Sequence, residues 1–247
     1  MAEIVNLGSL YLNGQPKSLG VKHNGEVLSF GDTDSERSIP FVKWGELLVA
    51  ARCVCTNISW NNLSHLGFIF GWPIRIDGDS YMCRSLRVGE EEGSSNEWDA
   101  ILDDLGEDDG LWHWSKQFFW GQETSRHLAS RRAVRGYLSA RSWSDNYATS
   151  RDVLVGFRPV LEPLPPEPLV SDALIGAGLK IYGPDTDIAG ELVKVTDYDL
   201  VIELPKVLSS SALNVRGLEA NGSQWAHRDG YRLTVDRAAI AWMEKID

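Results

Sequence analysis

His113 stands between Trp112 and Trp114. Histidine is the side chain whose charge changes nearest neutral pH, so it is the first residue to test for acid–base chemistry. No Gly-x-Ser-x-Gly nucleophile motif accompanies it and the sequence assigns it no base, so no catalytic set is read here. Asp103, Asp104, Glu107, Asp108 and Asp109 are the densest carboxylates, but they lack the regular oxygen-ligand spacing of a calcium loop. Cys53, Cys55 and Cys83 are an odd set, and Cys53-x-Cys55 is too short for the usual redox or zinc pairs. The cysteines are expected to be reduced, half-buried core thiols, and neither a metal nor a cofactor is expected.

The remaining chemistry lies in residues 131–162, where arginines and aromatic residues interleave before a closing Gly-Phe-Arg-Pro that reads as a sheet edge. An arginine away from solvent has to be paired or stacked, because an unpaired buried charge is very costly. Partners lie upstream: residues 90–109 hold ten carboxylates and no Lys or Arg, and residues 111–120 hold three tryptophans. One domain should bring these segments together. Within the basic segment Arg141, Trp143, Asp145, Asn146, Tyr147 and Arg151 combine stacking surface with hydrogen-bonding groups, which suits a polar, ring-containing ligand. Trp112, His113 and Trp114 are candidates for the same surface.

The chain has 247 residues and a formal net charge of −11, which opposes binding to duplex nucleic acid. No window approaches the roughly 18 apolar residues of a membrane span, and the N-terminus lacks the pattern of a signal peptide. A cytoplasmic protein is expected. Short extended pieces with an Asn24-Gly25 turn point to β-hairpins over the first forty residues. Phe41, Trp44, Leu47, Leu48 and Ala51 fall at helical spacing after Pro40 and predict a helix over residues 41–55. A short helix or a turn is expected over residues 57–66, a buried strand over 67–76 and a strand from Tyr81. A short acidic helix should open near Ser94-Ser95-Asn96, which can cap it.

Residues 162–168, Glu-Pro-Leu-Pro-Pro-Glu-Pro, predict a stiff linker. Beyond it, residues 179–182, 188–195 and 200–204 read as strands, residues 205–222 as a serine-rich loop, and the region after Asp229-Gly230 as two more strands or a strand and a short terminal piece. The expectation is α+β: a first domain over residues 1–162, a linker over 163–168, and a small five-stranded all-β barrel over 169–247.

Several motifs stand in a recognisable order: Asn57-Ile58-Ser59-Trp60, Asn96-Glu97-Trp98-Asp99, Arg135-Gly136 with Trp143, and Gly156-Phe157-Arg158. Together they resemble the formylglycine-generating-enzyme-like branch of the C-type lectin fold over residues 40–162. The resemblance implies a domain with a small twisted sheet, two helices and long loops. Its oxidase members use a late pair of cysteines that hold copper, and this chain has no cysteine after Cys83. Other relatives, among them variable binding proteins of phages, use the fold as a ligand platform, with the loop before the Gly-Phe-Arg strand carrying specificity. Residues 169–247 resemble, more loosely, an Sm-like or other SH3-like barrel, with Asp236-Arg237-Ala238-Ala239-Ile240 as the closing segment. That resemblance implies a homo-oligomer.

Three functions remain open. The first is a non-enzymatic phage or mobile-element protein that holds a small polar, nucleotide-like ligand through the aromatic and arginine loops. The second is a structural or adhesive part of a phage particle that binds a protein or glycan. The third is a divergent oxidase or hydrolase built on His113 and the acidic segment.

Overall fold

The computed structural model describes residues 2–184, 186–205 and 225–246. It divides into two units, Met1–Leu164 and Pro165–Asp247. Strands account for 47% and helices for 11%, in three sheets, so the architecture is close to all-β and the α+β expectation is corrected.

The correction is clearest over residues 41–55. Instead of a helix, the chain forms two strands that pair antiparallel across Gly45-Glu46, with Gly45 at a φ of 58°. Phe41, Val42, Val49 and Ala50 are wholly buried. Strands covered on both faces read as continuous apolar runs, and a continuous run contains helical spacing by accident. The aromatic and β-branched residues and the glycine were the better signal.

In the first unit the strands are β1 (Ile4–Leu12), β2 (Gln15–Lys17), β3 (Val21–Lys22), β4 (Leu28–Gly31), β5 (Ser38–Trp44), β6 (Leu47–Ala50) and β7 (Cys55–Thr56). Helix α1 (Trp60–His65) follows, then β8 (Trp72–Ile76), β9 (Asp79–Ser85), α2 (Glu97–Leu105), α3 (Asp109–Trp112), β10 (Phe118–Thr124), β11 (Arg131–Gly136), β12 (Trp143–Tyr147), β13 (Val155–Phe157) and β14 (Pro159–Pro163). One sheet runs β2-β1-β5-β6-β14-β9-β8, with β4 also on β1; the other runs β12-β11-β10-β13-β7-β3. The Gly-Phe-Arg segment is therefore not an edge. It is β13, between β10 and β7, and the chain crosses at Arg158 into the middle of the other sheet as β14. Pro159 and Pro163 are tolerated there because they are the first and last residues of that strand.

Local chemistry explains the turns. Asn13-Gly14, with φ of 51° and 70°, closes the β1–β2 hairpin, and Asp77-Gly78, with φ of 52° and 94°, closes β8–β9. Asn24-Gly25 does not close a hairpin, because β3 pairs with β7 while β4 pairs with β1. Helix α1 is capped by Ser59 and α2 by Asn96, each side chain accepting an amide hydrogen from the first turn. The predicted strand over 67–76 is turn up to Phe70 and strand only from Trp72. All three cysteines are free and fully buried, deeper than expected, and burial pushes the Cys53 thiol up to about 11.

In the second unit, β15 (Gly178–Tyr182), β16 (Asp187–Val195), β17 (Asp199–Glu203), β18 (Ala226–Asp229), β19 (Arg232–Asp236) and β20 (Trp242–Ile246) form one antiparallel sheet in the order β18-β19-β17-β16-β15-β20. Six strands are described where five were expected, because the segment after residue 225 holds three. Most of the expected serine-rich loop lies outside the described residues. Asp236 caps a short 3-10 turn at Arg237–Ala239, and Arg237 donates to the carbonyl of Thr196 at 2.8 Å.

Candidate functional site

The arginines of residues 131–162 find the partners that their burial demands. Arg135, 1% exposed, is ion-paired with Asp99 of α2. Arg141 donates to Glu107 at 2.5 Å and to Asp103 at 2.7 Å, and these carboxylates hold its guanidinium well above the ordinary arginine range. Arg132 lies over the Trp60 ring, 4.4 Å from its centre. Arg158 is fully buried with no ion pair among the described residues: it donates to the carbonyls of Ala50, Ala51 and Trp112 at 3.0, 2.8 and 2.5 Å and lies against the rings of Trp98 and Phe119. Burial pulls its pKa down to about 10, so it remains a cation at neutral pH. A further cluster ties α2 to the first sheet: Arg84 of β9 donates to Glu97 of α2 at 2.8 and 2.6 Å and to Glu162 of β14 at 2.6 Å.

Residues 143–147, expected as a loop, are the edge strand β12. Gly136 N–H donates to Ser142 O and Ala148 N–H to Ser130 O, and the register pairs Arg135 with Trp143, Ala133 with Asp145 and Arg131 with Tyr147. In an antiparallel ladder hydrogen-bonded and non-hydrogen-bonded pairs alternate. The backbone groups of Trp143, Asp145 and Tyr147 therefore point away from β11, and their side chains share one face. Asn146 lies on the other face, which separates it from the three.

Each side chain is already engaged. Trp143 Nε1 donates to the carbonyl of Gly89 at 3.0 Å, and its ring meets His127 edge-on. Asp145 accepts from Ser125 Oγ and from Arg131, both at 2.6 Å, and these partners hold its carboxyl below the usual range against the opposing effect of burial. Tyr147, 47% exposed, lies under the Arg131 guanidinium, 4.5 Å from the ring centre. Asn146 Oδ1 takes the Tyr147 N–H, and the Tyr147 carbonyl takes Ser150 N–H. The N–H and C=O groups of Trp143 and Asp145 have no hydrogen bond among the described residues.

The other candidates lie elsewhere. Trp112 is wholly buried, edge-on to Trp98, with Nε1 donating to Gly106 O, so it is core and not ligand surface. Trp114 Nε1 donates to the carbonyl of Glu107, beside the Arg141 clamp. Arg151 reaches His23 Nδ1 at 3.2 Å. His113, expected in one surface with the tryptophans, is exposed and lines a cleft of about 320 Å³ with Arg52, Thr56, Asp109, Ser115 and Lys116. Burial lowers its pKa, and the nearby Arg52 and Arg158 lower it further.

Sequence reasoning missed Arg131, Ser125 and Arg132 as supports of the β12 end, and Arg52 and Lys116 as partners of His113. Nothing in the local sequence marks Arg52, because only the pairing of β7 with β3 and β13 brings residues so far apart together. Among the described residues no three His, Cys, Asp or Glu side chains come together to hold a metal ion, and no helix is long and apolar enough to cross a membrane. Comparison with protein-family models, with curated proteins and with solved structures finds no match for this chain.

Proposed function

We propose that the first unit is a recognition module, not a catalyst, and that it takes an extended segment of a partner protein as an added strand along β12. The observation that carries this reading is the open edge itself. Strand edges are usually blunted by proline, lysine, bulges or brevity. Among the other outer strands of this unit, β2 contains Pro16, β8 contains Pro73, β3 has two residues, and β4, paired only with β1, has four, of which Leu28 and Phe30 are buried. Strand β12 has five residues with neither proline nor lysine, and two of those residues keep their outward backbone groups free. Added strands gain affinity from such groups and specificity from alternate side chains, here Trp143, Asp145 and Tyr147.

The expected partner segment is basic. The Trp143 bond to Gly89 sets the run Glu90-Glu91-Glu92 beside the strand. Arg126 is ion-paired with Glu90 and Glu91 and Arg131 with Asp145, so Glu92, exposed and without an ion pair among the described residues, is the carboxylate most open to a basic segment, with Asp145 shared. A small nucleotide-like ligand at this surface is supported less well, since Trp112 is buried and Arg141 and Asp145 are already paired.

The family resemblance belongs to the same proposal. In its support, Trp98, Arg135 and Arg158 meet in one core region, with Arg135 on Asp99 and Arg158 against Trp98. Assembly of several copies through the second unit, and a cytosolic or virion setting, complete the reading; buried free thiols are compatible with a reducing compartment. The test is fluorescence anisotropy with a labelled, extended peptide alternating lysine and valine, beside its glutamate counterpart. The lysine peptide should bind. Asp145→Pro, which removes an outward N–H without breaking a bond to β11, should abolish binding, and Asp145→Asn should weaken it. A lysine peptide that does not bind, or binds Asp145→Pro equally well, removes this reading.

A further inference from the structure

At the opposite end of the same sheet from β12, the structure assigns a second binding site: the His113 cleft, for a small phosphate-bearing anion. In the first unit the other arginines each have a hydrogen-bond or ion-pair partner, down to the exposed Arg75 on Gly78 O and Arg87 on Glu97. Arg52 has none among the described residues, and neither does the side chain of Lys116. Both line one cleft of about 320 Å³, at the small end of the range for ligand pockets. Two cations that converge on a cleft and have no internal partner leave a positive field there.

The cleft's one carboxylate does not cancel this field by contact. Asp109 Oδ1 accepts the Ser115 N–H at 2.7 Å, and neither Arg52 nor Lys116 is ion-paired with it. Thr56 and His113 add groups able to hydrogen-bond a ligand oxygen. The backbone gives an independent sign. His113, the C-cap of α3, and Lys116 both hold left-handed conformations, with φ of 47° and 59°, and both line the cleft. Non-glycine residues in this region cost energy and cluster at functional sites. The Lys116 conformation is held by its N–H on the carbonyl of Tyr137 at 3.0 Å, and Tyr137 itself has a φ of 79°.

Arg52 and Lys116 outnumber the cleft's one carboxylate, Asp109, so an anion is favoured there, and a phosphate has oxygens enough to accept from both cations at once. An arginine fork beside a lysine point charge is a common phosphate-binding combination. This site is separate from the proposed β12 edge, so either can fail without the other.

The experiment is calorimetric titration of the full chain with adenosine 5′-monophosphate, inorganic phosphate, acetate and adenosine as probes. Both phosphate probes should bind, with adenosine and acetate at least about tenfold weaker. Arg52→Gln and Lys116→Gln should each weaken phosphate binding about tenfold while leaving lysine-peptide binding at β12 unchanged. Both residues are exposed, so the variants should keep the parent melting temperature; if one does not, phosphorus NMR line broadening of the other variant gives the same comparison. Failure of both phosphate probes to bind at millimolar concentration, equal binding of adenosine or acetate, or full binding by the double variant would overturn the assignment.

Discussion

At the β12 end of the first unit's six-stranded sheet Arg131, Arg135 and Arg141 each hold a carboxylate, whereas at the β3 end Arg52 and Lys116 line a cleft without an ion pair among the described residues. The two ends belong to one sheet and one acidic chain, yet they treat positive charge in opposite ways. At the first, arginine is part of the framework, and what is left for a partner is backbone. At the second, the framework is backbone, held in left-handed turns, and what is left is charge. Arginine density in a sequence therefore does not by itself mark free positive charge.

The largest effect should come from the core that both ends share. Arg158→Ala would leave the carbonyls of Ala50, Ala51 and Trp112 without their donor and open a cavity between the sheets. Losses of this kind run to about 3–5 kcal/mol, readable in urea unfolding. Arg158→Ala with unchanged stability would mean that this arginine is not structural, and the contrast between the ends would lose its basis.

Next comes the Arg84–Glu97–Glu162 cluster. Arg84 and the Arg87 backbone hold the Glu97 carboxyl below its ordinary value near 4.5, against the opposing effect of burial. A carboxyl with a lowered folded pKa gives stability that is fully present above about 4.5 and is lost as pH falls through the folded value. Stability of the first unit should therefore drop below pH 4.5, and Glu97→Gln should flatten that drop while lowering stability at pH 7. A Glu97→Gln chain with the parent's acid profile would remove this cluster as the cause.

How much of this was legible in the sequence differs between the ends as well. The acidic run and the basic segment were readable as partners because burying arginine leaves few alternatives, and Arg135–Asp99 is such a pair; Arg141–Glu107 joins the same two segments at the surface. The cap at Asn96 was readable because the motif is local, whereas the Ser59 cap was not read from the sequence. Strands β5 and β6 were misread because a strand buried on both faces has no period of its own. The cleft stayed hidden for a different reason: Arg52, Thr56 and Lys116 converge only through nonlocal strand pairing. Residues 143–147 were expected as a loop and form an edge strand, since an edge strand of polar residues lacks the alternation that marks a half-buried one.

The smallest stability effect should be at the β12 periphery. Arg141→Ala removes an exposed clamp, and surface ion pairs of this kind contribute about 0–1 kcal/mol, so the melting temperature should shift by no more than a few degrees. A loss as large as that of Arg158→Ala would show that the β12 end is held together from outside.

The contrast between the two ends is tested most directly by arginine-selective dicarbonyl labelling of the folded chain, read by peptide mass spectrometry with and without inorganic phosphate. Arg52 should label early and be protected by phosphate, while Arg131, Arg135, Arg141 and Arg158 label late and ignore it. Early labelling of the four, or phosphate protection at Arg131 or Arg141 and not at Arg52, would contradict the assignment of free charge to the cleft and of framework charge to β12.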